Sequence, residues 1–447
     1  MTQGEKLSYP KLGILGLQHM FAMFGATILV PLISGLSVQV TLIGVGIGTL
    51  IFHFFAKGKV PAFLGSSFAF LVGIQLVTDP VNGVFALANW EDLIYGLSAA
   101  EVTVLRNAHA QEFLPYATGG ILVSGLVYLL VAAVVKIVGV KKFMQFMPPV
   151  VTAPTVILIG IMLAPFAINQ SRNNIILAVI TLGIVVVASS WGKGMIRIIP
   201  ILLGLAGAYI IALIMHGFGM TNPNGTAILD FSAASEAAIV GLPPFMLPQF
   251  NIVVILVMIP FAIATIAEHV GDMVALSTIT GKDFVEEPGL SRTLIGDGIA
   301  SCFSGFIGGP ASTTYGENVG VVALTKISNT RVVQLAAIYA AVLGFSPLFE
   351  VVIRSIPDAI IGGASFMLYG MIAAVGVRNL VESRVDVSKT KNLTIIAIML
   401  VTGLGLRFGQ PITFAIGNTN VPMDRLGIAI AVILGVVLNA ILPEKDS

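Results

Sequence analysis

Apolar residues fall into fourteen segments, at about 12–36, 38–56, 66–78, 117–138, 147–168, 174–191, 198–216, 250–275, 293–308, 317–325, 332–353, 356–377, 392–407 and 425–442. A helix needs about 20 residues to cross roughly 30 Å of hydrocarbon, so 66–78 and 317–325 are too short to cross as helices. Each follows a stretch of Gly, Pro and hydroxyl residues. Pro61-Ala62-Phe63-Leu64-Gly65-Ser66-Ser67-Phe68 precedes the first, and Gly309-Pro310-Ala311-Ser312-Thr313-Thr314-Tyr315-Gly316 precedes the second. Each is also third in a set of seven. Irregular backbone is tolerated at membrane depth only inside protein or beside a water-lined cavity. The pattern therefore predicts two broken crossings, each an extended break followed by a half-length helix.

Lys and Arg concentrate in cytoplasmic loops, which tests the count. With the N-terminus in the cytoplasm and every segment switching sides, 18 Lys and Arg fall inside and 5 outside, accounting for the 23 in the chain. Arg197 and Arg378 are among those inside; Arg106, Arg172, Arg354, Arg407 and Arg425 are outside. Omitting either short segment would invert every later loop and spoil the bias. The expectation is an all-α polytopic protein of the cell membrane, with fourteen crossings and both termini cytoplasmic. Seven plus seven crossings make the second half an inverted repeat of the first.

Composition agrees. The 447 residues are 56% hydrophobic and only 10% charged, with a mean hydropathy of +0.99, whereas soluble domains carry about 25% charged residues. The net charge of +1 excludes a nucleic-acid partner recognised through a strongly basic surface. The single cysteine, Cys302, excludes an intrachain disulfide and a cysteine metal cluster. The first apolar run, about 12–36, is too long for a cleaved signal and reads as a retained span. Two long outside loops are expected, an acidic one at about 79–116 and one at 217–249 without Lys or Arg, which contains the sequon-like Asn224-Gly225-Thr226.

The halves echo each other weakly. Leu17-Gln18-His19 and Ala267-Glu268-His269 stand 250 residues apart, and Phe68 and Tyr315 stand 247 apart. Paired interrupted segments in two halves point to a transporter's central binding site. Charged groups inside spans cost about 2.5–3.5 kcal/mol each on insertion scales, so Glu268, Asp272 and Glu317 stand out. Glu268 and Asp272 share one helix face, with His269 about 100° round. They suit a pocket whose carboxylates accept ligand N–H groups and carry a proton; bonding to each other or to backbone would instead hold the fold. Gln18-His19 suits bonding across helices or a ligand contact. Helix N-termini at the two breaks offer N–H groups to carbonyl oxygens. Phe68, Tyr315 and Tyr369 offer aromatic faces. Together these suit a small planar heterocycle. No metal site is expected, because His269 projects off the Glu268/Asp272 face and the chain has no His-Glu-x-x-His pair. Nor does it have a nucleophile elbow, Walker loop or dinucleotide fingerprint, so neither an enzyme nor an ATP-driven pump is expected.

The stretches LQHMFAMFGATILVP (17–31), KGKVPAFLGSSFAF (57–70), AEHVG (267–271) and TTYGENVGVVALTK (313–326) resemble the nucleobase–ascorbate transporter family, most closely its bacterial uracil:proton symporters. The resemblance runs through all fourteen segments. It implies a core of spans 1–4 and 8–11 (residues 1–138 and 250–353) and a gate of spans 5–7 and 12–14 (139–249 and 354–447). It also implies an elevator motion, a homodimer in membrane lipid, and protons as coupling ion with no cofactor. Carried over by residue, Glu268 and Glu317 would bind ring N–H groups, and the N–H groups of Phe68 and Gly316 would meet carbonyl oxygens. Phe68 and Tyr315 would present rings at the breaks, Tyr369 would close the pocket, and Glu317, Glu268, Asp272 and His269 would be the proton-coupling candidates.

The sequence departs from the family pattern in three places. Asp272 stands where some uracil carriers have His, Thr325-Lys326 replaces Thr-Arg and so loses the guanidinium fork, and the loop 79–116 is longer. The expected activity is proton-coupled import of uracil. A purine carrier, for xanthine above all, is the alternative that Asp272 favours; a channel or a non-transporting sensor is the alternative of another class. An inorganic-anion exchanger is disfavoured by an acidic pocket expected to contain no Arg.

Overall fold

The computed structural model describes residues 8–443 except 82, 88, 98, 224, 233, 234, 236, 410, 411, 417 and 418. The side chains of 99, 100, 103, 317, 413–416, 419–422, 424 and 425 also lie outside the description, as does the Asn224 sequon.

Every predicted apolar segment falls on a helix. In the first half these are α1 (Tyr9–Ser34), α2 (Val38–Phe55), α3 (Ala69–Thr78), α4 (Ala99–Val138), α5 (Pro149–Met162), α6 (Ile175–Trp191) and α7 (Pro200–Gly217). In the second they are α8 (Ile252–Thr280), α9 (Leu290–Phe306), α10 (Gly316–Thr325), α11 (Thr330–Leu343), α12 (Asp358–Glu382), α13 (Thr390–Phe408) and α14 (Gly427–Ile441). Among the described residues, eight helices are long and apolar enough to cross a bilayer, or nine if one bent pair counts as a span. The chain is a multi-pass membrane protein.

Helix boundaries follow local chemistry. Gly35 ends α1 at φ 81°, its N–H bonding Pro31 O, and the Ser37 hydroxyl then caps α2 by accepting from Val40 N. Asn174, Asn251 and Asn329 cap α6, α8 and α11 in the same way. Small residues set the packing, since lipid gives apolar faces little reason to associate and close approach of backbones must hold helices together. A Cβ on Gly298 of α9 would lie 2.8 Å from Gly125 O of α4, and one on Gly376 of α12 would lie 2.7 Å from Ala153 O of α5. Helices α1, α2, α4, α8, α9 and α11 pack among themselves, as do α5, α6, α7, α12, α13 and α14. The two sets meet where α8 touches α5 and α14, α1 touches α7, and α10 touches α12.

The broken segments are β1 (Leu64–Ser66) leading into α3, and β2 (Ser312–Thr314) leading into α10. The two breaks pair with each other antiparallel, Leu64 opposite Thr314, Gly65 opposite Thr313 and Ser66 opposite Ser312. The sequence had foreseen each break but not their pairing.

Three further expectations needed revision. The segment 332–353 is not one straight run, because α11 turns 89° into a short helix, Pro347–Arg354. The loop expected over 79–116 is shorter, because α4 already begins at Ala99. Finally, β3 (Thr413–Ile416) and β4 (Thr419–Pro422) form a second antiparallel pair.

Candidate functional site

Extended backbone buried at membrane depth must find its hydrogen bonds inside the protein. Beyond the three-residue ladder, hydroxyls supply them. Thr49 Oγ1 of α2 accepts from Leu64 N at 3.0 Å, Ser301 Oγ of α9 accepts from Ser312 N at 3.1 Å, and Ser301 Oγ donates to Ser312 O at 2.8 Å. Asn318 of α10 donates to Pro61 O at 2.9 Å and accepts from His19 Nε2 at 2.8 Å. An amide oxygen only accepts, so the His19 ring carries its proton on Nε2. Of the two uses open to His19, bonding across helices is the one observed.

The Tyr315 ring lies across β1. A Cβ on Gly65 would come within 2.1 Å of it, so only glycine fits beneath the ring. The Tyr315 hydroxyl donates to Ser66 O at 2.8 Å and lies 3.1 Å from Ser66 Oγ, which donates to Thr27 O at 2.9 Å. Phe68, at the start of α3, stacks on Tyr315 with centroids 6.2 Å apart and planes 22° apart. Tyr369 meets Phe68 edge-on at 6.0 Å.

α3 and α10 leave the ladder from its two ends, and the Phe68 and Tyr315 rings at their N-termini meet beside it. First-turn N–H groups have no partner within their helix and carry the positive end of its dipole. A cavity of about 250 Å³ opens there, walled also by α8, α12 and the start of α7. Phe68, Tyr315, Gly316, Glu268 and Asp272 all line it. Asp272 Oδ1 lies 3.8 Å from where a Gly316 Cβ would stand. Glu317 is the second residue of α10; its side chain lies outside the described residues. Tyr369 does not line the cavity but backs Phe68. His269 is also off the lining, because the helical offset from Glu268 turns it toward α9. There its Nδ1 sits 3.0 Å from Asp297 Oδ2 and 3.3 Å from Thr314 Oγ1, and its Nε2 sits 2.9 Å from Thr293 Oγ1. Both members of the His269–Asp297 pair are fully buried.

Two features of the site escaped the sequence reading. Asp297 is an acid within an apolar run, a signal that was available but went unused. Arg197 and Arg378 line the cavity, which corrects the expectation of a pocket without Arg. In the sequence they counted only as loop charges, whereas a short helix before α7 (Met195–Ile198) and the end of α12 bring them to the cavity wall. No group of His, Cys, Asp or Glu among the described residues is placed to hold a metal.

Carboxylates, helix N-termini and aromatic rings around one cavity match a flat ring that offers both N–H and C=O groups. A family model described as a permease family matches residues 10–412. The chain belongs to the nucleobase–ascorbate transporter family. It is 36% identical to the uracil permease of Bacillus subtilis (strain 168) over 96% of this chain and 92% of that one. It is 33% identical to the uracil permease of Escherichia coli (strain K12), covering 96% and 90%. Its relatives are named permeases, not enzymes. Among solved structures, SLC26A9 aligns with a TM-score of 0.62 at 14% identity, over 96% of this chain and 65% of that one. The transmembrane domain of the cyanobacterial bicarbonate transporter BicA aligns with a TM-score of 0.53 at 16% identity, over 85% and 97%. At these identities the two structures speak for the fold alone.

Proposed function

We propose that the protein imports uracil together with protons across the cell membrane. The observation that carries this is the cavity at the paired breaks, where Glu268, the Phe68 ring and the N-terminus of α10 face one small volume. Glu268 accepts ring N–H groups, the N–H groups of Phe68 and Gly316 donate to the ring carbonyls, and Phe68 packs on the ring face. Glu317 binds or couples to the same ligand from the first turn of α10. The names of the family relatives support uracil as the ligand.

Transport proceeds by fourteen crossings in two inverted repeats, with both termini cytoplasmic. A core of residues 1–138 and 250–353 carries the ligand past a gate of 139–249 and 354–447, held in a homodimer. The separate packing of the two helix sets supports this division. Protonation of Glu317 or Glu268 neutralises a charge that would be costly to move through a low-dielectric interior, and so permits the loaded core to travel. Asp272, on the cavity lining, is the further candidate. His269 is the weakest, since it faces Asp297.

Uptake of labelled uracil into proteoliposomes under an imposed pH gradient tests the whole proposal. Uptake indifferent to the gradient would remove proton coupling, and no uptake would remove uracil. Glu268→Gln is expected to abolish uracil binding in protein that still purifies folded. A purine carrier is the second reading, favoured by Asp272 at the cavity wall; displacement of uracil by unlabelled xanthine distinguishes it.

A further inference from the structure

A neutral ring satisfies the acids of this cavity but leaves its cations without a role. Arg197 and Arg378 line the same volume as Glu268 and Asp272, from helices that do not carry the acids. Both arginines are exposed, and no carboxylate among the described residues pairs with either. Their place relative to the ring site follows from contacts on α12. The position of a Gly316 Cβ is 3.4 Å from Val375 and 3.8 Å from Asp272 Oδ1. Arg378 is three residues beyond Val375, about 4.5 Å further along the helix axis, on the face that also brings Met371 to the lining. The Lys and Arg count places both arginines on the cytoplasmic side. A guanidinium fork matches phosphate oxygens two at a time.

We propose that Arg197 and Arg378 form an anion subsite at the inner mouth of the cavity, and that a pyrimidine nucleoside monophosphate from the cytoplasm occupies the cavity as an inhibitor. Its ring takes the nucleobase site, and its phosphate, one sugar away, takes the two guanidiniums. The phosphate ties the ligand to α12 and to the short helix Met195–Ile198 that leads into α7, while the ring holds α8 and α10. The two sets of helices are then pinned together, and the core cannot travel. The inference rests on the nucleobase reading above and adds an end-product brake on import.

The test is displacement of labelled uracil from the purified full-length protein by uridine 5′-monophosphate, uridine and inorganic phosphate. The monophosphate is expected to act at about tenfold lower concentration than uridine, an advantage that shrinks as salt rises. The ratio of the two is read within each variant, so a general change in affinity cancels. In the double variant Arg197→Gln/Arg378→Gln the ratio should fall to about one, and in Arg197→Lys/Arg378→Lys part of it should return. The subsite alone is overturned if the monophosphate is no better than uridine, if its advantage survives the Gln variant, or if inorganic phosphate displaces uracil equally well. Absence of uracil binding to the unmodified protein overturns the nucleobase reading, and this inference with it.

Discussion

Gly65→Ala puts a methyl group in place of a hydrogen at the paired breaks, and the structure says what that methyl meets. The new Cβ would lie 2.1 Å from Cε2 and Cζ of Tyr315, where ordinary contact begins near 3.4 Å. The ring must therefore retreat by about 1.3 Å, or β1 and β2 must part. Neither is cheap. The ring is held by a 2.8 Å hydrogen bond to Ser66 O, worth about 0.5–1.5 kcal/mol, and overpacking of a filled site costs about 1–3 kcal/mol. The total, about 1.5–4.5 kcal/mol, corresponds to roughly 10- to 2000-fold in affinity if it falls on the ring site. Uracil affinity and thermal unfolding of Gly65→Ala, Tyr315→Ala and the double variant form a cycle that isolates the clash. Gly65→Ala should cost far less once Tyr315 is truncated, with coupling of about 2 kcal/mol. A Gly65→Ala protein with unchanged affinity and melting, or a penalty equally large without the ring, would refute the reasoning.

Other consequences follow from the buried polar contacts. Asp297→Ala leaves His269 buried without its acid and should cost about 3–5 kcal/mol, seen as a large drop in melting temperature; Asp297→Asn, which preserves shape and one acceptor, should cost less. Glu350 accepts from Ser37 Oγ at 2.8 Å, Val38 N at 3.2 Å and Arg354 Nε at 2.8 Å. Glu350→Ala should therefore loosen the start of α2 by about 1–3 kcal/mol, measurable by thermal melting and by faster proteolysis near residue 36. At the surface, the Lys59 ammonium beside Glu287 holds that carboxyl below its ordinary value of 4.5. A depressed folded value means the stabilisation is present at neutral pH and lost as pH falls below about 4.5. Melting curves between pH 7 and 3.5 should show this small acid-side loss in the unmodified protein and not in Glu287→Gln.

The sequence disclosed the apolar helices and the breaks because both are one-dimensional signals. A half-length apolar run after Gly-Ser-Ser or Ser-Thr-Thr is visible without knowing its neighbours, and so is an acid such as Glu268 one turn from Asp272. Pairings between distant segments were not visible. Nothing local in Leu64-Gly65-Ser66 names Ser312-Thr313-Thr314 as its partner, and the Tyr315 hydroxyl gives no sign that it will be used on Ser66. Orientation was legible only within one helix. The 100° offset separated His269 from Glu268, but its destination, Asp297, depended on how α8 and α9 meet. Arg197 and Arg378 were misjudged for a related reason. Position along the chain marks a residue as near a membrane surface, while the width of the cavity decides whether that surface is also the binding site.

The ladder between β1 and β2 joins residues 250 positions apart, Leu64 and Thr314. A ribosome feeding this chain into a bilayer therefore completes the first seven segments long before the partner strand exists. During that interval Gly65 and its neighbours face hydrocarbon or trapped water with their strand bonds unmade, a condition the membrane penalises. The nascent first half cannot be a finished unit waiting to be joined by a second, since what it lacks is the partner of its own β1. The clasp of the two breaks is also what brings Phe68 against Tyr315, so the ring site cannot begin to form until the second half of the chain has entered the bilayer.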